Sequence, residues 1–317
     1  MSRLHVFTLM ILFVTLMAAP VMSQETLTAK AAMAVTSRIA DLEVRQDIER
    51  NIELGNISSM EELNALLENV TLLDSSLVTE DDQMPVAERL NDLARRTRLL
   101  LEGYRSCENL RNEDLKDELH NLCSKHTALG YGGARKYMYS YVDVIDGRIE
   151  GVYTGKFFAP QSAGSNEREG TRGFMNCEHT WPQSFFNKQE PQRSDIWHLY
   201  PTDSDANGRR SSYPFGVVVG TPKWQEGGSK LGNGANGKTV FEPRDCHKGN
   251  VARSLFYFSV AYNDPIDALQ EATLRKWHTQ DPVDDNERER ANRIEKKQKN
   301  RNPFIDHPEY VERINNF

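Results

Sequence analysis

Asn176-Cys177-Glu178-His179-Thr180-Trp181-Pro182 sets a carboxylate directly beside an imidazole and closes on a proline. A carboxylate can ligate a metal and a neutral imidazole can accept a proton, so the pair has the parts of a hydrolytic site. Taken alone it is a weak signal, since Glu-His pairs also arise on ordinary surfaces. Neighbours on a strand point to opposite faces, so the backbone is expected to leave its ladder at Glu178-His179. Pro182 agrees with a strand that stops there. Two further stretches follow at short range, Leu199-Tyr200-Pro201 and Asn207-Gly208-Arg209-Arg210.

Upstream, Gly130–Gly133 reads as a joint, Ala134–Val142 as a helix and Asp146-Gly147 as a turn. Arg148–Tyr153 alternates like a strand. Thr154 to Arg172 is rich in Gly and Ser and reads as loop, as does Gly227–Gly237 between strands. Downstream, apolar spacing predicts helices over Gly249–Tyr262, Ile266–Trp277 and Val283–Lys299. The segment 24–127 reads as helical throughout: Thr26–Leu54, a capping box at Ser59–Glu62, Val86–Tyr104 and Glu113–Cys123. No internal repeat is visible. The fold class is α+β, with a small β element framed by helices and an additional helical N-terminal region.

Of 317 residues, 38% are hydrophobic and 27% charged, and the mean hydropathy of -0.64 describes a water-compatible chain. The one long apolar run is Val6–Met17, after a short basic start and before Ala18-Ala19-Pro20-Val21-Met22-Ser23. That is the form of a secretory signal peptide over 1–23, so the mature protein is expected to be exported, secreted or periplasmic, with no membrane segment. An uncleaved anchor is the alternative, but a spanning helix wants about 20 apolar residues. Export gives Cys107, Cys123, Cys177 and Cys246 an oxidising setting, and the pairs Cys107–Cys123 and Cys177–Cys246 are expected. A structural zinc on Cys177, His179, Cys246 and His247 is the rival, though it lacks the usual ligand spacing.

The net charge of -7 excludes a generic basic nucleic-acid binder, yet it is unevenly spread. Residues 24–127 hold 21 acidic and 12 basic residues, whereas 128–317 hold 25 acidic and 26 basic ones. The basic stretch includes Arg209, Arg210, Lys223, Lys230, Lys238, Arg244, Lys248 and Arg253, and net charge does not decide whether it lines a groove or a solvated face.

Glu178–Ser184, Ser194-Asp195 with His198–Pro201, and Asn207-x-x-Arg210 before Tyr213–Gly216 together resemble the endonuclease I family. The resemblance continues through Phe241–Arg244, Lys248–Arg253, Trp277 with Asp281–Val283, and Asn300–Ile305, covering roughly residues 128–310. It implies a ββα-metal nuclease core over 128–317, and phosphodiester hydrolysis of DNA and RNA with little base specificity, leaving 5′-phosphate ends. By the same resemblance His179 is the general base and Glu178 and Asn207 hold the metal, Mg2+ or Mn2+. Magnesium favours oxygen ligands and one or two carboxylates beside substrate phosphate, which suits that pair.

Arg210 is expected to hold a phosphate or buttress Asn207. Arg244, Lys248 and Arg253 are expected to contact the substrate backbone, with structural ion pairs as the alternative for each. Trp181, Trp197 and Tyr213 could stack on bases or fill the core, and His198 is the second choice of base. Trp197 and Asn286 depart from the family pattern, which leaves the packing around the site less defined. Two other functions compete: a nucleic-acid-binding protein of this fold without catalysis, and a zinc hydrolase using His179, His198 and His247, although H-E-x-x-H is absent.

Overall fold

The computed structural model describes residues 103–160 and 175–317, together with Ile48, Glu49, Ile52 and Leu63, which are helical. The expected signal peptide 1–23, nearly all of the helical patterns before residue 103, and the part of the Gly/Ser-rich loop from 161 to 172 lie outside the described residues. The chain divides into Met1–Arg105 and Ser106–Phe317, and the second unit carries the architecture below.

In chain order its elements are α1 (Asn112–Cys123), α2 (Tyr131–Tyr137, continued by a π-turn over Met138–Val142), β1 (Ile149–Glu150) and β2 (Phe157–Phe158). Then come β3 (Met175–His179), β4 (Leu199–Asp203), α3 (Ser204–Arg210), β5 (Trp224–Glu226), β6 (Ser229–Asn233) and β7 (Thr239–Glu242). The last third is helical: α4 (Lys248–Tyr262), α5 (Ala268–Gln280), α6 (Asp285–Gln298), α7 (Pro303–Asp306) and α8 (Tyr310–Arg313). All three sheets are antiparallel: β1-β2, β3-β4 and β5-β6-β7. The fold is α+β, and β3-β4-α3 is a contiguous strand-strand-helix unit.

The chemistry of the termini explains where the helices begin. Asp267 caps α5 by accepting from Leu269 and Gln270 N–H, Asp284 caps α6 through Glu287 N–H, and Asn302 caps α7 with Pro303 following. These caps start α5 and α6 a residue or two later than apolar spacing alone suggests. Asn263 and Lys299, both left-handed, end α4 and α6. The central helix α4 is buried from Val251 through Ala261, as expected of a helix apolar on every side. Gly249 opens it where a Cβ would stand 1.9 Å from the Asp281 carbonyl oxygen, so no larger residue fits that approach.

Two readings of loop give way to strand. The expected loop Gly227–Gly237 contains β6: Gly227 and Gly228 make the turn from β5. Gly232 sits inside the strand because a Cβ there would meet the Val218 side chain at 2.5 Å. Thr154 onward likewise contains β2. The expected strand Arg148–Tyr153 is short, only Ile149 and Glu150 pairing with β2. Asp146-Gly147 is the turn it was expected to be, with positive φ at both residues and Ile145 bridged to Arg148.

Long-range polar bonds brace β4 from the C-terminal helices. Arg290 grips Asp143 at 2.7 Å, donates to the Leu199 carbonyl at 2.6 Å and lies over the Tyr200 ring. Gln298 accepts from Ile196 N–H at 2.6 Å and donates to Asp195 at 2.8 Å. Buried Asp195 also accepts from the Tyr257 and Tyr262 hydroxyls. Arg313 donates to the carbonyls of Cys107, Glu108 and Leu110, tying the end of the unit to its beginning. Among the described residues no helix is long and apolar enough to cross a membrane.

The expected disulfides do not form: among the described residues no disulfide joins Cys107, Cys123, Cys177 or Cys246. Cys177 is buried on β3, whereas Cys246 is exposed in the turn before α4 with Arg244, Glu150 and Asp281 as its charged neighbours. Cys107 and Cys123 are both buried, and burial raises both thiols, favouring the protonated, unreactive form.

Candidate functional site

β3 carries Glu178 and His179, and the ladder does not break at the pair. Glu178 stands opposite Tyr200, His179 opposite Leu199, and Thr180 N–H still reaches the His198 carbonyl at 2.9 Å. The expected departure from the ladder therefore does not occur. The two side chains have different surroundings, as strand alternation requires.

Glu178 is 2% exposed and faces α3. Arg210 Nε lies 3.1 Å from its Oε1, but the two are not aligned as a hydrogen bond, so both atoms are buried without one. Burial raises the Glu178 carboxyl, while Arg210 and the Tyr153 hydroxyl pull it down. Asn207 is three residues before Arg210 and so lies on the same helix face. It donates through Nδ2 to the Cys177 carbonyl at 3.2 Å, which leaves Oδ1 as its acceptor. α3 is set against the strands by Asp203, which caps it through Ala206 N–H and also receives the Thr154 hydroxyl.

His179 looks the other way. Its Nε2 donates to the Arg193 carbonyl at 3.2 Å; a carbonyl only accepts, so this nitrogen carries the proton and Nδ1 holds the lone pair. The ring meets His198 edge-on at 5.4 Å and Tyr131 at 5.4 Å. Burial lowers its pKa well below the ordinary histidine range, helped by His198 and the nearby arginines and opposed by the Arg193 carbonyl. His198, fixed by its own Nε2 bond to the Gln192 carbonyl at 2.7 Å, is wholly buried against His179 and does not face outward.

The structure thus gathers Asn207 and Arg210 against β3 near Glu178, with His179, next in the strand, on the other face. Of the four expected substrate contacts, Arg210 and Arg253 are buried, whereas Arg244 and Lys248 are partly exposed and engaged in ion pairs. Arg210 donates to the carbonyls of Thr180 and Ser211 and covers the Phe215 ring, so its bonds brace the end of β3 and the turn after α3. Arg253 is 1% exposed and bound through two nitrogens to Glu287 at 2.7 and 2.6 Å. Arg244 pairs with Glu150, and Lys248 with Glu242 and Asp245. Trp181 stacks on Phe258 and Trp197 is buried, so both are core; Tyr213 is exposed.

Sequence reasoning did not find Tyr131 and Arg193. The Arg193 guanidinium lies over the Tyr131 ring at 4.3 Å, beside His179, and forms no ion pair among the described residues. Its place directly before Ser194-Asp195 was the only available signal. Nor do His179, His198 and His247 gather: among the described residues no three His, Cys, Asp or Glu side chains form a metal-binding group. His247 instead packs against Tyr200 and Tyr153.

The donor set fits a hard divalent cation on chemical grounds. Glu178 offers a buried carboxylate oxygen lacking a hydrogen bond, and Asn207 an amide oxygen from the adjacent helix, both of the type magnesium prefers.

Residues 111–309 match the Endonuclease I family. The chain is 34% identical to an extracellular ribonuclease of Bacillus subtilis over 235 residues, 67% of this chain and 77% of that protein. It is 33% identical to an extracellular ribonuclease of Bacillus amyloliquefaciens with the same coverage. An extracellular deoxyribonuclease of Aeromonas hydrophila is 34% identical over 134 residues, 42% of this chain and 56% of that protein. The chain belongs to the endonuclease I family and is a nuclease, a hydrolase of phosphodiester bonds.

Proposed function

We propose that this endonuclease I family member is an exported, divalent-metal-dependent endonuclease that cuts both RNA and DNA with little base specificity. The observation that supports the reading is the β3-β4-α3 unit, in which Asn207 is bonded to the Cys177 carbonyl, one residue before Glu178, and His179 ends the strand with its proton on Nε2 and its lone pair on Nδ1. Glu178 and Asn207 would hold Mg2+ or Mn2+, which when bound stabilises charge on the phosphate and the departing 3′ oxygen. His179 Nδ1 takes a proton from the attacking water, since its Nε2 proton is held by the Arg193 carbonyl. Tyr131 and His198 keep the ring from rotating. Arg210 steadies the Glu178 carboxylate and the end of β3, and Arg193 adds positive potential beside His179.

Relatives named extracellular ribonuclease and extracellular deoxyribonuclease support both substrates. With the leader-like residues 1–23, their location supports export. Contacts through phosphate carry no direct sequence information, hence the expected lack of base specificity. The test is digestion of plasmid DNA and of RNA with and without EDTA. Cleavage that stops on chelation and returns with Mg2+ or Mn2+ is expected; undiminished cleavage after chelation would remove the metal from the reading.

A further inference from the structure

Two turns leave the site, one from each side, and each carries one outward aromatic ring. After β3 the chain turns through Pro182–Lys188. Phe186 points inward, packing on His198 and Phe258, and its neighbour Phe185 is 65% exposed. After α3 the chain turns at Ser211, whose φ is +51°. Phe215 points inward beneath the Arg210 guanidinium, and Tyr213 is 41% exposed. The turns are tied together by Ser184 Oγ and Ser212 Oγ at 3.2 Å, so Phe185 and Tyr213 each sit one residue beyond that bond. Neither ring stacks on another ring or on a cation among the described residues. Exposed Phe157, by contrast, is covered by the Arg148 guanidinium at 4.7 Å.

Single exposed aromatics need no explanation. Two unstacked rings on linked turns, both within a few residues of the proposed catalytic and metal-binding side chains, do. We propose that Phe185 and Tyr213 are stacking platforms for nucleobases, and that the site therefore prefers an unpaired strand over a duplex. The proposal rests on the nuclease reading of His179, Glu178 and Asn207. Every base presents a π face, so stacking on aromatic rings holds single strands without selecting sequence. Bases in a duplex are already stacked on each other and offer the rings nothing. Arg209 supplies the matching charge: it is exposed on α3, four residues before Tyr213, and its contact to Asp205 is long, 3.9 Å.

The test is fluorescence anisotropy on the full-chain His179→Ala protein, which separates binding from turnover. The probes are an oligothymidylate of about ten nucleotides, within the usual span of single-strand sites, an abasic strand of the same length, and the matching duplex. Phe185→Ala and Tyr213→Ala are each expected to weaken oligothymidylate binding by at least about fivefold, the low end for one lost stacking contact. They should leave the abasic strand and the duplex within about twofold, and Phe185→Tyr and Tyr213→Phe should restore binding. Equal affinity of the unsubstituted platform for thymidylate and abasic strands would overturn the proposal, as would alanine variants that bind thymidylate unchanged. A parallel digest with the otherwise native enzyme separates the two readings. Cleavage of single strands and duplex with a ratio unmoved by the alanine substitutions leaves the nuclease standing and removes the platforms, whereas absence of cleavage removes the nuclease reading itself.

Discussion

Arg210 and Arg253 are the same residue type, equally buried, and they do opposite things. Arg253 in the helical third presents its fork squarely to Glu287, donates to the Asp281 carbonyl and leaves nothing open. Arg210 in the strand-strand-helix unit uses its outer nitrogens on two carbonyls, and meets Glu178 with a misaligned Nε. A bidentate pair is a finished bond. A contact that leaves a carboxylate oxygen without a hydrogen bond keeps that oxygen available to another partner, which in the proposed reading is a divalent cation. The buried pair of the helical region is fully bonded, whereas the unit at β3 holds buried polar atoms without hydrogen bonds, the ones the proposed chemistry uses.

The sharpest way to break this comparison is His179→Ala. Loss of the base should lower the rate by ~10²–10⁴ with the melting temperature essentially unmoved, measured by single-turnover cleavage and thermal unfolding. A variant that loses activity and stability together would mean that His179 belongs to the scaffold. Next in size is Glu287→Gln. Arg253 would be left a buried unpaired charge, and breaking such a pair costs about 3–5 kcal/mol, read as a drop in the urea midpoint at unchanged slope. Glu178→Gln should cost clearly less stability, because its ion pair is already incomplete, while abolishing most activity. Equal losses in the two variants would erase the distinction between the regions.

Acid provides a third, intermediate test. His247 is fully buried against Tyr153 and Tyr200, and burial with Arg290, Arg244 and Arg253 nearby lowers its pKa to about 3. A histidine depressed in the folded state binds its proton more readily when unfolded. Its contribution is therefore present above the unfolded pKa of ~6.5 and is lost as pH falls from there toward about 3. Stability should fall by on the order of a few kcal/mol over that window, and His247→Phe should flatten the decline; an unchanged slope in denaturation curves from neutral to acid would contradict it. The smallest effect is expected for Arg244→Ala. Its pair with Glu150 is solvent-accessible, so the loss should stay below about 1 kcal/mol. A larger loss by urea denaturation would show that the pair braces β1.

Much of this was legible in the residues. Glu178-His179 alone was a weak signal, and it was the resemblance to the endonuclease I family that joined it to Asn207, whereas α4–α6 were visible from apolar spacing alone, to within a residue or two of the caps at Asp267 and Asp284. What escaped depended on partners distant in sequence. Nothing local to Arg253 announces Glu287 across the helices, so a basic residue looked available when it was not. Glycines at 227–237 signal a loop until Val218 is seen crowding Gly232. The stacking of Arg193 on Tyr131 joins positions 62 residues apart by number, 193 less 131. That Cys107, Cys123, Cys177 and Cys246 form no disulfide among the described residues follows from where the chain places them, which cysteine counting does not carry.

The braces on β4 also impose an order in time. Leu199 is held by Arg290, and Ile196 by Gln298, partners that follow 91 and 102 residues later in the chain. The strand-strand-helix unit is itself local in sequence, but the clamps that steady it are made of residues translated 91 and 102 positions later. Contacts of such sequence separation close slowly and late in folding. A growing polypeptide that has just exposed Glu178, His179 and Asn207 therefore holds the letters of the site without its grammar, and remains unassembled until the helices from Asp285 onward arrive.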